Sequence, residues 1–161
     1  MMKKRILVLG IIFTAVFAVS CEEDDVCVGE GTPNLTVVFR TLQTQENLTD
    51  TLFVERVTSE GELIDTLYKW LITDSIKLPL GGLDESVNYF RIKLRPTGQS
   101  DILTVNYTPT TSFVSKACGF RLTYDDLDYE STENAIRNLT PSESNVLENE
   151  AATNLYIYYN N

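Results

Sequence analysis

From Val87 to Arg95 the chain alternates with a period of two. Tyr89, Arg91, Lys93 and Arg95 fall on one side, Phe90, Ile92 and Leu94 on the other. Successive side chains of an extended strand point to opposite faces, so this run reads as a strand with one face buried and one in water. Other β-rich runs surround it: Leu35–Arg40, Thr51–Val57, Leu63–Ile72, Ser75–Leu80, Asp101–Tyr107 and Leu155–Tyr159. Polar or glycine-rich turns separate them, at Ser59–Glu62, Gly81-Gly82 and Pro96-Thr97-Gly98. Pro79 puts its run at a sheet edge or strand end, and Pro109 is expected to end the strand before it. Ser112–Lys116 and Gly119–Tyr124 read as one long strand bent at Gly119. Glu133–Leu139 suits a helical turn or a strand, and Ser142–Ala151 is polar and helix-tolerant. The pattern predicts an all-β fold, an antiparallel β-sandwich of roughly seven to nine short strands over residues 34–161.

The start of the chain has a different texture. Lys3, Lys4 and Arg5 precede a 14-residue apolar run, Ile6–Val19, which ends in Ala18-Val19-Ser20-Cys21. A membrane-spanning helix needs about 20 apolar residues, whereas a signal-peptide core needs 7–15. Small residues before the cysteine suit a peptidase that threads extended backbone into a narrow site. The segment resembles the lipobox of bacterial lipoproteins, with Ala18 in place of the usual leucine. Residues 1–20 are therefore expected to be a cleaved signal peptide, and Cys21 the diacylglyceryl-bearing first residue. The plainer alternative is a buried apolar helix with an incidental cysteine. Acyl chains contribute about 0.8 kcal/mol per buried methylene, so the expected partner is a membrane held through the lipid on Cys21. Residues 21–33 read as a tether. Its acids Glu22, Glu23, Asp24 and Asp25 are a solvated spacer or a surface-sorting signal of the kind found in Bacteroidota lipoproteins. The expected place is the outer membrane, on its periplasmic face or the cell surface.

Removing residues 1–20 leaves 141 residues, one domain by length. It takes away three of the 13 basic side chains and none of the 23 acidic ones, so the mature net charge is −13. Such a surface repels nucleic acid, and no nucleic-acid partner is expected. The chain has no histidine, which removes Ser-His-Asp and Cys-His triads and His-ligated zinc. No cofactor is expected. With Cys21 lipidated, Cys27 and Cys118 remain. Exported chains mature in an oxidising compartment, so these two are expected to pair; two buried free thiols or a reactive pair are the alternatives.

The start Cys21-Glu22-Glu23-Asp24-Asp25-Val26-Cys27, the Thr32-Pro33 entry into a strand and the segment Ser115-Lys116-Ala117-Cys118-Gly119-Phe120 together resemble a family of small Bacteroidota lipoproteins of unknown function. The resemblance covers essentially the whole chain. It implies a lipid-anchored β-rich domain with paired cysteines and no assigned activity.

Several clusters qualify as sites. Asp125–Glu130 holds four carboxylates, and an extended backbone would line up Asp126, Asp128 and Glu130 as a candidate for a hard cation; a solvated loop or strand edge is the plainer reading. The basic stripe Tyr89, Arg91, Lys93 and Arg95 suits a carboxylate or anionic glycan, or a sheet face balanced by acids. Tyr156, Tyr158 and Tyr159, with Tyr68 and Trp70, form either an aromatic platform for sugars or ordinary strand packing. Thr51, Thr66 and Ser75 each follow an aspartate and precede an apolar residue, the pattern of Bacteroidota O-glycosylation acceptors. No nucleophile motif or phosphate loop is present. The expected function is a non-enzymatic envelope module that binds or scaffolds a protein or glycan. A glycan-processing enzyme with paired carboxylates and an accessory subunit of an envelope complex are the alternatives.

Overall fold

The structure is a computed structural model that describes Cys27 and residues 31–160. Residues 1–20, expected to be a signal peptide, lie outside the described residues, as do Cys21 and the acids Glu22–Asp25. By compactness the chain divides into two units, residues 1–29 with 114–119, and residues 30–113 with 120–161. The described part of the first unit is Cys27 and the hairpin tip 114–119.

The described residues form nine strands and no helix. In chain order they are β1 (Leu35–Thr41), β2 (Asp50–Val57), β3 (Leu63–Thr73), β4 (Ser75–Leu78), β5 (Val87–Leu94), β6 (Ser100–Ser115), β7 (Gly119–Ser131), β8 (Ile136–Pro141) and β9 (Leu155–Tyr159). One sheet has the order β4-β1-β9-β8, the other β3-β2-β5-β6-β7. The all-β, two-sheet, mostly antiparallel expectation holds.

The period-two rule accounts for the core. On β5, Phe90, Ile92 and Leu94 are buried; on β6, Leu103, Val105 and Tyr107; on β1, Leu35, Val37 and Phe39. β9 adds Leu155, Ile157 and Tyr159, and all of these belong to one continuous hydrophobic cluster. Each fully buried side chain of this kind stabilises by about 1.5–3 kcal/mol relative to exposure.

Four details differ from the sequence reading. First, β9 runs parallel to β1, with Val37 opposite Leu155 and Phe39 opposite Ile157, and antiparallel to β8. A strand with Leu155, Ile157, Tyr158 and Tyr159 all buried has too little polar surface for an edge, and it takes an interior place. Second, β6 continues through Pro109. The register with β5 ends at Val87 opposite Asn106, so at Pro109 β5 no longer pairs and the missing N–H breaks no bond to it. Third, Ser112–Tyr124 is a hairpin and not one bent strand. Gly119 opens β7 at φ +71°, a conformation glycine adopts without a Cβ clash. Fourth, residues 142–151 hold no helix. Leu147, fully buried, exchanges backbone hydrogen bonds with Tyr124 at 2.7 and 3.1 Å, and Leu127 N–H donates to Asn145 C=O at 2.9 Å. Once Leu147 is in the core, the loop follows β7 and covers part of that outer strand. The ambiguous stretch Glu133–Leu139 supplies a strand, β8.

β3 is the other outer strand of its sheet and carries register shifts against β2. Trp70 sits at φ +53° there, its ring 4.9 Å from that of Phe53. Irregular edges of this kind deter strand addition from another chain.

Candidate functional site

The bond between Cys27 and Cys118 brings two distant parts of the chain together. Their Cα atoms are 4.8 Å apart across a sequence separation of 91 residues. The tip is also held locally, where Cys118 N–H donates to Ser115 Oγ at 3.0 Å. On β6 and β7 beside this tip, Phe113 and Phe120 are 58% and 71% exposed, their rings packed edge to face with centroids 5.4 Å apart.

A second polar centre lies inside the fold. Asp101 is 1% exposed, yet its carboxylate accepts the Thr132 hydroxyl at 3.0 Å and the N–H groups of Asn134, Ala135 (2.8 Å) and Ile136 (3.0 Å). Three consecutive amide groups converging on one carboxylate form an anion nest, occupied here by the protein's own side chain. Asp101 therefore fixes the connection that turns β7 into β8. The sequence carried a signal for it. Leu103, Val105 and Tyr107 share a face, and counting back two residues puts Asp101 on that same inward face.

A third network pins the β4–β5 connection. The Tyr107 hydroxyl accepts Gly81 N–H at 2.9 Å and donates to Asn88 Oδ1 at 3.0 Å, while the Tyr124 hydroxyl donates to Gly81 C=O at 3.1 Å. Burial pushes the Tyr124 phenol up to about 12 and raises that of Tyr107. The phenols of Tyr129 and Tyr159 are also raised, again chiefly by burial, and neither hydroxyl has a hydrogen-bond partner among the described residues.

The acids foreseen as a cation site stand on β7. Asp126, Asp128 and Glu130 are exposed, Asp126 at φ +54°, and Leu127 between them is buried. Asp126 accepts the Thr108 hydroxyl at 3.2 Å. Among the described residues no group of three or more acids or cysteines is arranged to hold a metal ion.

Both arginines of the basic stripe are ion-paired. Arg91 binds Glu55 at 2.8 Å and also the Gly61 carbonyl, and Arg95 binds Asp50 at 2.6 Å. The aromatic side chains do not assemble into one platform. Tyr159 packs inward near Phe39, Tyr156 lies under the Arg40 guanidinium at 3.9 Å, and Trp70 and Tyr68 belong to the other sheet. The three glycosylation-like positions share a local device, a bond to the preceding aspartate. Asp50 and Asp65 accept the N–H of Thr51 (2.7 Å) and Thr66 (2.8 Å), and Asp74 accepts the Ser75 hydroxyl at 3.2 Å. Thr66 is exposed on an outer strand; Thr51 and Ser75 are half-buried.

A cleft of about 430 Å³ is lined by Thr32, Pro33, Lys77 and Glu150. Its charges already serve each other: Glu150 pairs with Lys77 and accepts Asn34 N–H at 2.8 Å. These contacts, the Lys77 bond first, hold the Glu150 carboxyl below the usual carboxylate range.

Residues 56–159 match a family of unknown function, DUF6452. The chain belongs to that family. The DUF6452 match runs from the end of β2 through β9, so it takes in Asp101, Cys118 and the Tyr107–Tyr124 network. Cys21, Cys27 and the acidic start precede it. No curated protein and no solved structure matches the chain.

Proposed function

We propose that this chain is an exported lipoprotein of a Bacteroidota-type envelope, held on the outer membrane by acyl chains on Cys21. In this reading it works as a binding or scaffolding module and not as an enzyme. The Cys27–Cys118 bond carries the reading, because structural disulfides persist in oxidising compartments outside the cytosol. The basic run, the apolar run and the small residues ahead of Cys21 point to the same address. The acids engaged within the fold support a non-catalytic role. Asp101, Glu55, Asp50, Glu85 and Glu150 all hold backbone groups or cations of the protein itself. The test is mass analysis of the N-terminal peptide of protein taken from membranes. The expected peptide begins at Cys21 with a diacylglyceryl adduct, and Cys21→Ala abolishes it. A peptide that retains residues 1–20, or begins unmodified, overturns the anchor. Protease shaving of intact cells, beside a periplasmic control, then assigns the outward or inward face.

A further inference from the structure

Most apolar side chains of the fold are inside it, and the exposed exceptions fall mainly in two places. Leu63, Ile64, Trp70, Leu71 and Ile72 lie on the irregular strand β3, where nothing in the structure indicates what covers them. Phe113 and Phe120 lie elsewhere, on either side of the hairpin tip 114–119. Their rings pack on each other and are not part of the core cluster. An exposed aromatic pair leaves apolar area in water that any apolar phase would relieve.

The covalent path supplies the phase. Along the chain Phe120 is ninety-nine residues from Cys21. Through the Cys27–Cys118 bond the path is six residues from Cys21 to Cys27, the 4.8 Å between the bridged Cα atoms, and two residues from Cys118 to Phe120. An extended chain spans at most about 3.5 Å per residue, so Cys27 is confined to within about 21 Å of Cys21 and Phe120 to about 7 Å of Cys118. Lys116 lies in the turn between the two aromatics, and a lysine beside apolar rings suits the boundary between headgroups and acyl chains.

We infer that Phe113 and Phe120 form a wedge that enters the interfacial layer of the bilayer carrying the lipid anchor. The inference rests on the lipoprotein reading above. Two rings seated in the interface, added to the acyl chains, would hold the domain in a set orientation and not merely leash it. The disulfide would then supply the short covalent path between anchor and wedge.

The test uses the full lipidated protein, reconstituted in phosphatidylcholine vesicles with or without lipids brominated near the glycerol end of their chains. Phe120→Trp adds a second fluorophore to Trp70, and the parent protein supplies the Trp70 baseline. The expected result is that the added emission is blue-shifted and quenched by brominated lipid. Phe113→Trp is the second variant, should the first fail to fold. Added emission that brominated lipid leaves unchanged, in a sample whose mass shows diacylglyceryl-Cys21, overturns the wedge and leaves the anchor standing. Emission that instead changes with protein concentration, and not with brominated lipid, assigns the pair to contact between copies and overturns the wedge as well. A sample whose mass shows no lipid overturns the anchor, and the wedge with it.

Discussion

The Tyr68 hydroxyl donates to the main-chain carbonyl of Lys77 at 2.9 Å and accepts the Lys77 N–H at 3.0 Å. Tyr68 is on β3 and Lys77 on β4, each an outer strand of a different sheet. One side-chain atom thus takes the place of a neighbouring strand at that residue and satisfies both of its peptide groups. Unpaired edge groups invite association with other chains, and this contact removes two of them. Tyr68→Phe keeps the ring and removes both bonds. Lys77 is exposed, so water replaces them, and the expected loss is about 1 kcal/mol in chemical denaturation. Hydrogen exchange at the Lys77 amide should accelerate, and an unchanged rate would contradict the contact.

Asp101→Ala should be far more damaging. It removes the acceptor of three amide groups and a hydroxyl around a 1%-exposed position, where water cannot substitute freely. The expected loss is about 3–5 kcal/mol, with the β7–β8 connection affected first. Asp101→Asn retains one acceptor oxygen and should fall between the parent protein and Asp101→Ala. A substitution that leaves the denaturation midpoint unmoved would remove Asp101 from its structural role.

Opening the Cys27–Cys118 bond should lower stability by about 2–5 kcal/mol, because it releases a loop of 91 residues in the unfolded chain. Cys118→Ser and treatment with reductant should lower the melting temperature by similar amounts. Mass analysis after alkylation without reduction should find no free thiol at either cysteine.

Alkaline pH should unfold the protein before its inner tyrosines ionise freely. The folded chain holds the phenolic protons of Tyr107, Tyr124, Tyr129 and Tyr159 more tightly than the unfolded chain does. Their contribution is therefore full below the ordinary phenol value of 10.0 and is lost as pH rises through about 12, the value for Tyr124. Ultraviolet titration should show the more exposed tyrosines ionising first and the buried group ionising together with loss of β-sheet circular dichroism. Independent ionisation of all eight tyrosines near their ordinary value, with the sheet intact, would contradict the burial.

Much of the strand content was legible in the sequence because alternation is a local property. Whether Phe90, Ile92 and Leu94 face inward is written in their spacing, and the same spacing marks Asp101 beside Leu103. The pairing of Cys27 with Cys118 was expected on the reading that Cys21 carries lipid, and the structure brings these two cysteines together. The candidate sites were less legible. The charges of Arg91 and Arg95 are apparent along the chain, but Glu55 and Asp50, which pair with them, come from a neighbouring strand.

By itself, the sequence determined most of the extended segments and which of their faces are apolar, because these follow from residue type and from spacings of one or two residues. Only the tertiary structure decided that β9 lies parallel to β1, that Pro109 is tolerated within β6, that Leu147 draws a polar loop along β7, and that Tyr68 meets Lys77. Each of these depends on which strand lies alongside which, and that choice is made by burial summed over residues far apart in the chain.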